Sequence, residues 1–99
     1  MAYNDVSIKN PTTYSLEAEQ AVLGSVLIDP TLVSDTLESI KRDYFYHENH
    51  RKLFDIIIEN FTTAATTDLL TVLNASVQRG IFDSESTGKT YLLDIMNSV

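Results

Sequence analysis

Three places in this chain carry side chains that could do chemistry. His47-Glu48-Asn49-His50 sets two imidazoles three residues apart, a spacing that puts both on one side of a helix. A zinc site built on such a pair needs a third and usually a fourth ligand. The chain has 2 His and no Cys, so carboxylates would have to complete it. A structural role is expected for the pair, with no metal site; His50 in particular falls on an apolar face, where it should be partly buried and hydrogen-bonded. Gly88-Lys89-Thr90 has the ending of a phosphate loop. That loop needs a glycine five positions before Gly88, where the chain has Asp83, and a preceding strand, which the pattern lacks. A plain helix start and no bound nucleotide cofactor are expected there. Glu19 is the third place, an acid inside an apolar helical stripe. It either faces its own helix N-terminus, worth ~0.3–1 kcal/mol, or turns inward and pairs with His50 or Arg51. The position within the stripe favours pairing, because an unpaired buried carboxylate costs several kcal/mol. No serine, histidine and acid fall into a triad order, so no catalytic residues are expected.

Five helices must position these groups. Ser15 is an N-cap ahead of Leu16–Ile28, with Glu17 and Glu19 at the positive end of the helix dipole. Leu16, Val22, Leu23, Val26 and Leu27 form its stripe. Gly24 costs helix stability relative to Ala, which suits a close helix–helix contact. Asp29 and Pro30 read as N-cap and first residue of a second helix, about Pro30–Ile40, with Leu32, Val33, Leu37 and Ile40 on one side. A third, about Glu48–Phe61, aligns His50, Leu53, Phe54, Ile57 and Phe61, with Ile56 and Ile58 flanking them, so both its sides should be covered. Asp68 caps a fourth, about Leu69–Arg79, whose Leu69, Leu70, Leu73 and Val77 align before Gly80 closes it. The fifth begins near Gly88, with Tyr91, Leu92, Ile95 and Met96 on one face. It ends at Val99 without a glycine, a proline or a cationic last turn, and is expected to continue. No run alternates cleanly at period two, so the fold class is all-α, a bundle of about five short helices. Residues 1–14 are polar and aperiodic and read as a flexible arm, with 15–99 as the helical domain.

The surface points to proteins as partners. Of Tyr44, Phe45 and Tyr46, at least one should reach solvent, where tyrosine favours protein contacts; core packing accounts for two of them more simply. Leu93 falls outside the apolar face of the fifth helix and is free to meet something outside this chain. The net charge is −7, from 14 acids and 7 dispersed bases. Nucleic-acid binding rests on clustered Lys and Arg, and only Lys41–Arg42 and Arg51–Lys52 approach a cluster. Direct nucleic-acid binding is therefore not expected, and a helix-turn-helix-like DNA-binding module is the weaker alternative. No apolar run nears the ~18 residues of a membrane span, no secretory pattern opens the chain, and the lack of cysteine fits a cytoplasmic location.

The ordered segments S-L-E-A-E-Q-A-V-L-G-S-V-L-I-D-P, D-Y-F-Y-H-E-N-H-R-K-L-F, T-D-L-L-T-V-L, R-G and G-K-T-Y-L-L-D-I resemble the N-terminal domain of DnaB-type replicative DNA helicases over about Pro11 to Val99. The last departs from the family's Gly-Gly-x-x-Tyr-Leu pattern, and His50-Arg51 matches its His-Arg pair. The resemblance implies a helical collar domain on a hexameric ring, a trimer of dimers, that takes part in DNA replication. Such a domain engages primase and, in some systems, a helicase loader within the primosome. It also implies that ATP, magnesium and DNA unwinding belong to a separate RecA-like domain, and that a helical hairpin with the strongest dimer contacts follows this stretch; neither falls within the 99 residues. Glu19, Gly24, His50 and Arg51 are then structural, and Tyr44, Tyr46 and Leu93 are candidates for a partner interface.

Overall fold

A computed structural model describes residues 15–64 and 67–98; the arm expected over 1–14 lies outside the described residues. Among them the order is α1 (Leu16–Ile28), α2 (Leu32–Ser39), a 3₁₀ turn (Arg42–Tyr44), α3 (Glu48–Ala64), α4 (Leu69–Gln78) and α5 (Glu85–Asn97), with no strand. The all-α architecture matches the apolar periodicity.

Caps fix most of the boundaries. The Ser15 hydroxyl accepts from the Ala18 N–H at 3.1 Å, and Asp68 accepts from the Thr71 N–H at 3.1 Å. Gly80 takes φ +78° after α4, the left-handed conformation that glycine adopts without a steric penalty. Two starts differ from expectation. Asp29 and Pro30 form a turn rather than helix: Asp29 Oδ1 accepts from the Thr31 N–H at 3.0 Å and from its hydroxyl at 2.6 Å, delaying α2 to Leu32. Helix α5 begins three residues before Gly88, because the Ser84 hydroxyl caps it by accepting from the Thr87 N–H at 3.2 Å. Four polar residues hide that cap from an apolar pattern.

Helix α3 runs through the middle. Leu53, Phe54, Ile56 and Ile57 are all buried, so both flanks of α3 are covered, as its pattern requires. Helix α1 packs on α5 and α3, and α4 on α5 and α3, while α2 is held mainly by α1. That single partner explains why Val33 alone of the α2 stripe is buried, with Leu32 and Leu37 exposed. The stripe of α4 is also turned. Val72, Leu73 and Ser76 face inward and Leu70 faces solvent. A serine can take a core position here because its hydroxyl donates to the Val72 carbonyl at 2.6 Å, a bond invisible to hydropathy.

Candidate functional site

The polar groups singled out in the sequence meet where α1, α3 and α5 converge. Glu19 is 7% exposed and His50 3% exposed, one turn inside α1 and at the start of α3. His50 Nδ1 donates to Glu19 Oε1 at 2.7 Å and His47 Nδ1 donates to the same oxygen at 3.0 Å. The Tyr46 N–H donates to Glu19 Oε2 at 2.7 Å. Burial pushes the Glu19 carboxyl up, but the bonds from His50, the Tyr46 N–H and His47 together outweigh it and hold the group below its ordinary range. An ionised carboxylate only accepts, so the facing Nδ1 atoms carry the protons. His50 Nε2 lies 2.6 Å from Tyr91 Oη on α5. With His50 neutral, the Tyr91 hydroxyl donates to Nε2 and accepts from Gln20 Nε2 at 3.1 Å.

Of the two partners open to Glu19, His50 is the one it takes. Arg51 instead donates from one guanidinium nitrogen to the carbonyls of Phe45 and Tyr46, at 2.8 and 2.9 Å. It thereby fixes the backbone turn that presents the Tyr46 N–H to Glu19. Gly24 is buried on α1. His47 takes the structural role expected of its pair, while two members, Tyr91 and Gln20, do not stand out in the sequence, where Tyr91 falls on an apolar face. Gln20 gave no signal, since a glutamine on a helix surface is ordinary. For Tyr91 a signal existed: a tyrosine hydroxyl on an inward face needs a partner.

Above this network lies a groove of about 810 Å³ with Leu16, Tyr46, His47, Ile81, Phe82 and Tyr91 in its lining. Leu16, expected in the core, is 47% exposed; it is the first residue of α1 and lines the groove. Tyr44 and Tyr46 are both exposed and Phe45 is buried, so at least one aromatic reaches solvent as expected, but the core takes one of the three rather than two. Phe45 stacks on Phe54 with ring centroids 4.9 Å apart. Leu93 is 36% exposed and lies outside the groove lining.

Gly88-Lys89-Thr90 occupies the first turns of α5. A Cβ on Gly88 would come within 2.7 Å of Leu73 Cδ1 and 2.8 Å of Phe82 Cδ2. The glycine serves a close helix approach, and its backbone is tied into the helix by a bond to the Ser84 carbonyl.

Comparison with known proteins decides the family. Residues 11–99 match the model of the DnaB-like helicase N terminal domain. The chain belongs to that family. It is 33% identical over 85 residues to the replicative DNA helicase DnaC of Bacillus subtilis, covering 86% of this chain and 18% of that protein. It is 35% identical over 88 residues to the replicative DNA helicase DnaB of Geobacillus stearothermophilus, with 86% and 18% covered. For DnaB of Rhodothermus marinus the figures are 35% over 86 residues, 86% and 9%. The chain thus spans less than a fifth of these relatives. The crystal structure of the N-terminal domain of DnaB helicase from Mycobacterium tuberculosis superposes with a TM-score of 0.77 at 28% identity, over 88% of this chain and 60% of that one. The chain is an all-α member of that domain family, and none of its described helices is long and apolar enough to cross a membrane.

Proposed function

We propose that this domain is a non-catalytic scaffold of its helicase, supporting assembly of the hexameric ring and docking primase or a helicase loader through the groove face. One observation carries the reading: an open groove whose rim presents Leu16 and Tyr46 to solvent while a fully hydrogen-bonded network holds its floor. Exposed tyrosine and leucine around a rigid cleft suit recognition of an apolar segment of another protein. Leu93, exposed beside a buried face of α5, suits contact with a following segment or a neighbouring subunit.

The charges support protein partners over DNA. Arg42 pairs with Asp55, Lys52 with Glu48 and Arg79 with Glu59, and Arg51 is spent on backbone carbonyls. Bases already neutralised have little left for phosphates. Glu19, His50 and Tyr91 have the order of an acid–base relay, yet it ends on a phenol bonded to Gln20, which supports a structural task. Unwinding, ATP and magnesium then belong to the rest of the helicase, in the cytoplasm.

The test is titration of the 99-residue domain with the primase of the same replication system by calorimetry. Binding should fall about tenfold or more in the Leu16→Ala/Tyr46→Ala double variant, as expected for aromatic anchors. Unchanged primase affinity in that variant would refute groove docking. Tight duplex binding by the domain, weakening steeply with salt in a shift assay, would move the assignment to a DNA-binding module.

A further inference from the structure

We propose that Glu19, His47 and His50 bind a zinc ion, with three ligands from the protein and a fourth position open to solvent. The sequence pair lacked a third ligand; the fold supplies it from α1, 28 residues before His47 along the chain. Both Nδ1 atoms already point at one carboxylate oxygen, at 2.7 and 3.0 Å, and the three ligand atoms lie within 4.8 Å of one another. Tetrahedral zinc with bonds of ~2.0–2.2 Å holds neighbouring ligand atoms ~3.3–3.5 Å apart. The two oxygen–nitrogen contacts therefore need to spread by about 0.3–0.8 Å, and the imidazole nitrogens to settle at the same separation around the ion. His47 is free to provide that movement, its side chain being 41% exposed against 4% for His50 and 8% for Glu19.

Supporting bonds already orient the ligands. Metal-bound imidazoles carry their proton on the other ring nitrogen and donate it to an anchoring group. For His50 that nitrogen faces Tyr91 Oη at 2.6 Å. On zinc binding the His50 proton leaves Nδ1 and Nε2 becomes the protonated nitrogen; the Tyr91 hydroxyl turns from donor to acceptor. It keeps its bond from Gln20. The free oxygen of Glu19 stays fixed by the Tyr46 N–H. Two imidazoles and one carboxylate select zinc over calcium or magnesium, which take sets of six or more oxygens or retain several waters. The half-exposed edge at His47 gives the ion its route in and leaves room for a water as fourth ligand. This site is independent of the docking assignment.

The chain's two histidines and lack of cysteine make the test clean in an untagged protein. Calorimetric titration of the 99-residue chain with zinc at neutral pH should give one ion per chain, reversed by a chelator. Zinc should raise the melting temperature by several degrees, and the imidazole nitrogen resonances of His47 and His50 should shift together. His47→Gln, at a half-exposed position that leaves the core intact, should weaken zinc binding about tenfold or more, and Tyr91→Phe about tenfold through His50. Circular dichroism checks that both variants fold. Failure of the wild-type chain to take up zinc at millimolar concentration, or undiminished affinity in a folded His47→Gln, would overturn the site.

Discussion

Replacing Glu19 by Gln changes one oxygen to an amide nitrogen and removes one charge, in a setting where every acceptor is used. Oε1 takes His50 and His47, and Oε2 takes the Tyr46 N–H. A glutamine can satisfy only one side. With its oxygen toward the imidazoles, its NH₂ faces the Tyr46 N–H, donor against donor. The orphaned N–H costs ~1–3 kcal/mol, and the two imidazole bonds fall from charge-assisted to neutral strength, a further ~1 kcal/mol. Relief of burying a charge offsets part of this, leaving a loss of about 2–3 kcal/mol. In a domain of this size the melting temperature should fall by roughly 10–20 °C. Urea unfolding followed by circular dichroism in chelator-containing buffer measures it, with a lower midpoint and an unchanged slope expected. The pH dependence checks the sign. Glu19 titrates below its ordinary 4.5 in the folded state, so its contribution is complete above the unfolded value and is lost as pH falls through the folded one. The gap between wild type and Glu19→Gln should hold steady from neutral pH to about 5 and close below that. Equal stability at neutral pH, or a gap that persists in acid, would refute the network as the source of stability.

Other substitutions probe separate links. Gly88→Ala should destabilise by about 1–2 kcal/mol by urea unfolding, because the added methyl meets Leu73 and Phe82 and overpacking outweighs the helix-propensity gain of ~1 kcal/mol; a more stable variant would contradict the close approach. Thr67→Val removes a buried hydroxyl that donates to the Val26 carbonyl at 2.8 Å, and should cost ~1–2 kcal/mol in the same assay. Ile57→Ala, at a fully buried position on α3, should cost ~2–5 kcal/mol and lower the melting temperature accordingly. Tyr44→Ala and Leu93→Ala should each leave stability within about 0.5 kcal/mol, as exposed side chains do, so that any loss of partner binding in them reports the interface directly.

Helix content was legible because hydrophobic periodicity and capping residues are local signals. Leu16–Ile28 appears with the bounds its Ser15 cap and Asp29-Pro30 stop imply. Signals failed where burial depends on a hydrogen bond or a missing neighbour. Ser76 and Thr67 are buried polar residues satisfied by backbone carbonyls, so polarity misreported their place. Leu32, Leu37 and Leu70 are apolar residues left exposed, and a stripe alone does not say whether a partner helix exists. At the site, the inward acid was readable from its position among leucines and valines, and it carried His50 with it as a candidate partner. Tyr91 and Gln20 were not, because their role depends on how α5 and α1 meet across 71 residues of chain.

That long-range meeting also ties stability to the shape of the groove proposed for docking. Glu19, His50 and Tyr91 come from three helices, and the bonds between them fix how α1, α3 and α5 are spaced at the groove floor. Tyr46 reaches the rim while its backbone N–H holds Glu19, and Arg51 clamps the carbonyls of Phe45 and Tyr46 from α3. The rim residue is thus positioned by the same carboxylate that closes the core. A partner meeting this face finds it already ordered and loses less entropy on docking than it would against a loose loop. If the groove face docks a partner as proposed, Tyr91→Phe, whose ring still fills the groove wall, should weaken docking through the floor it no longer locks; unchanged partner affinity in a calorimetric titration would refute that link.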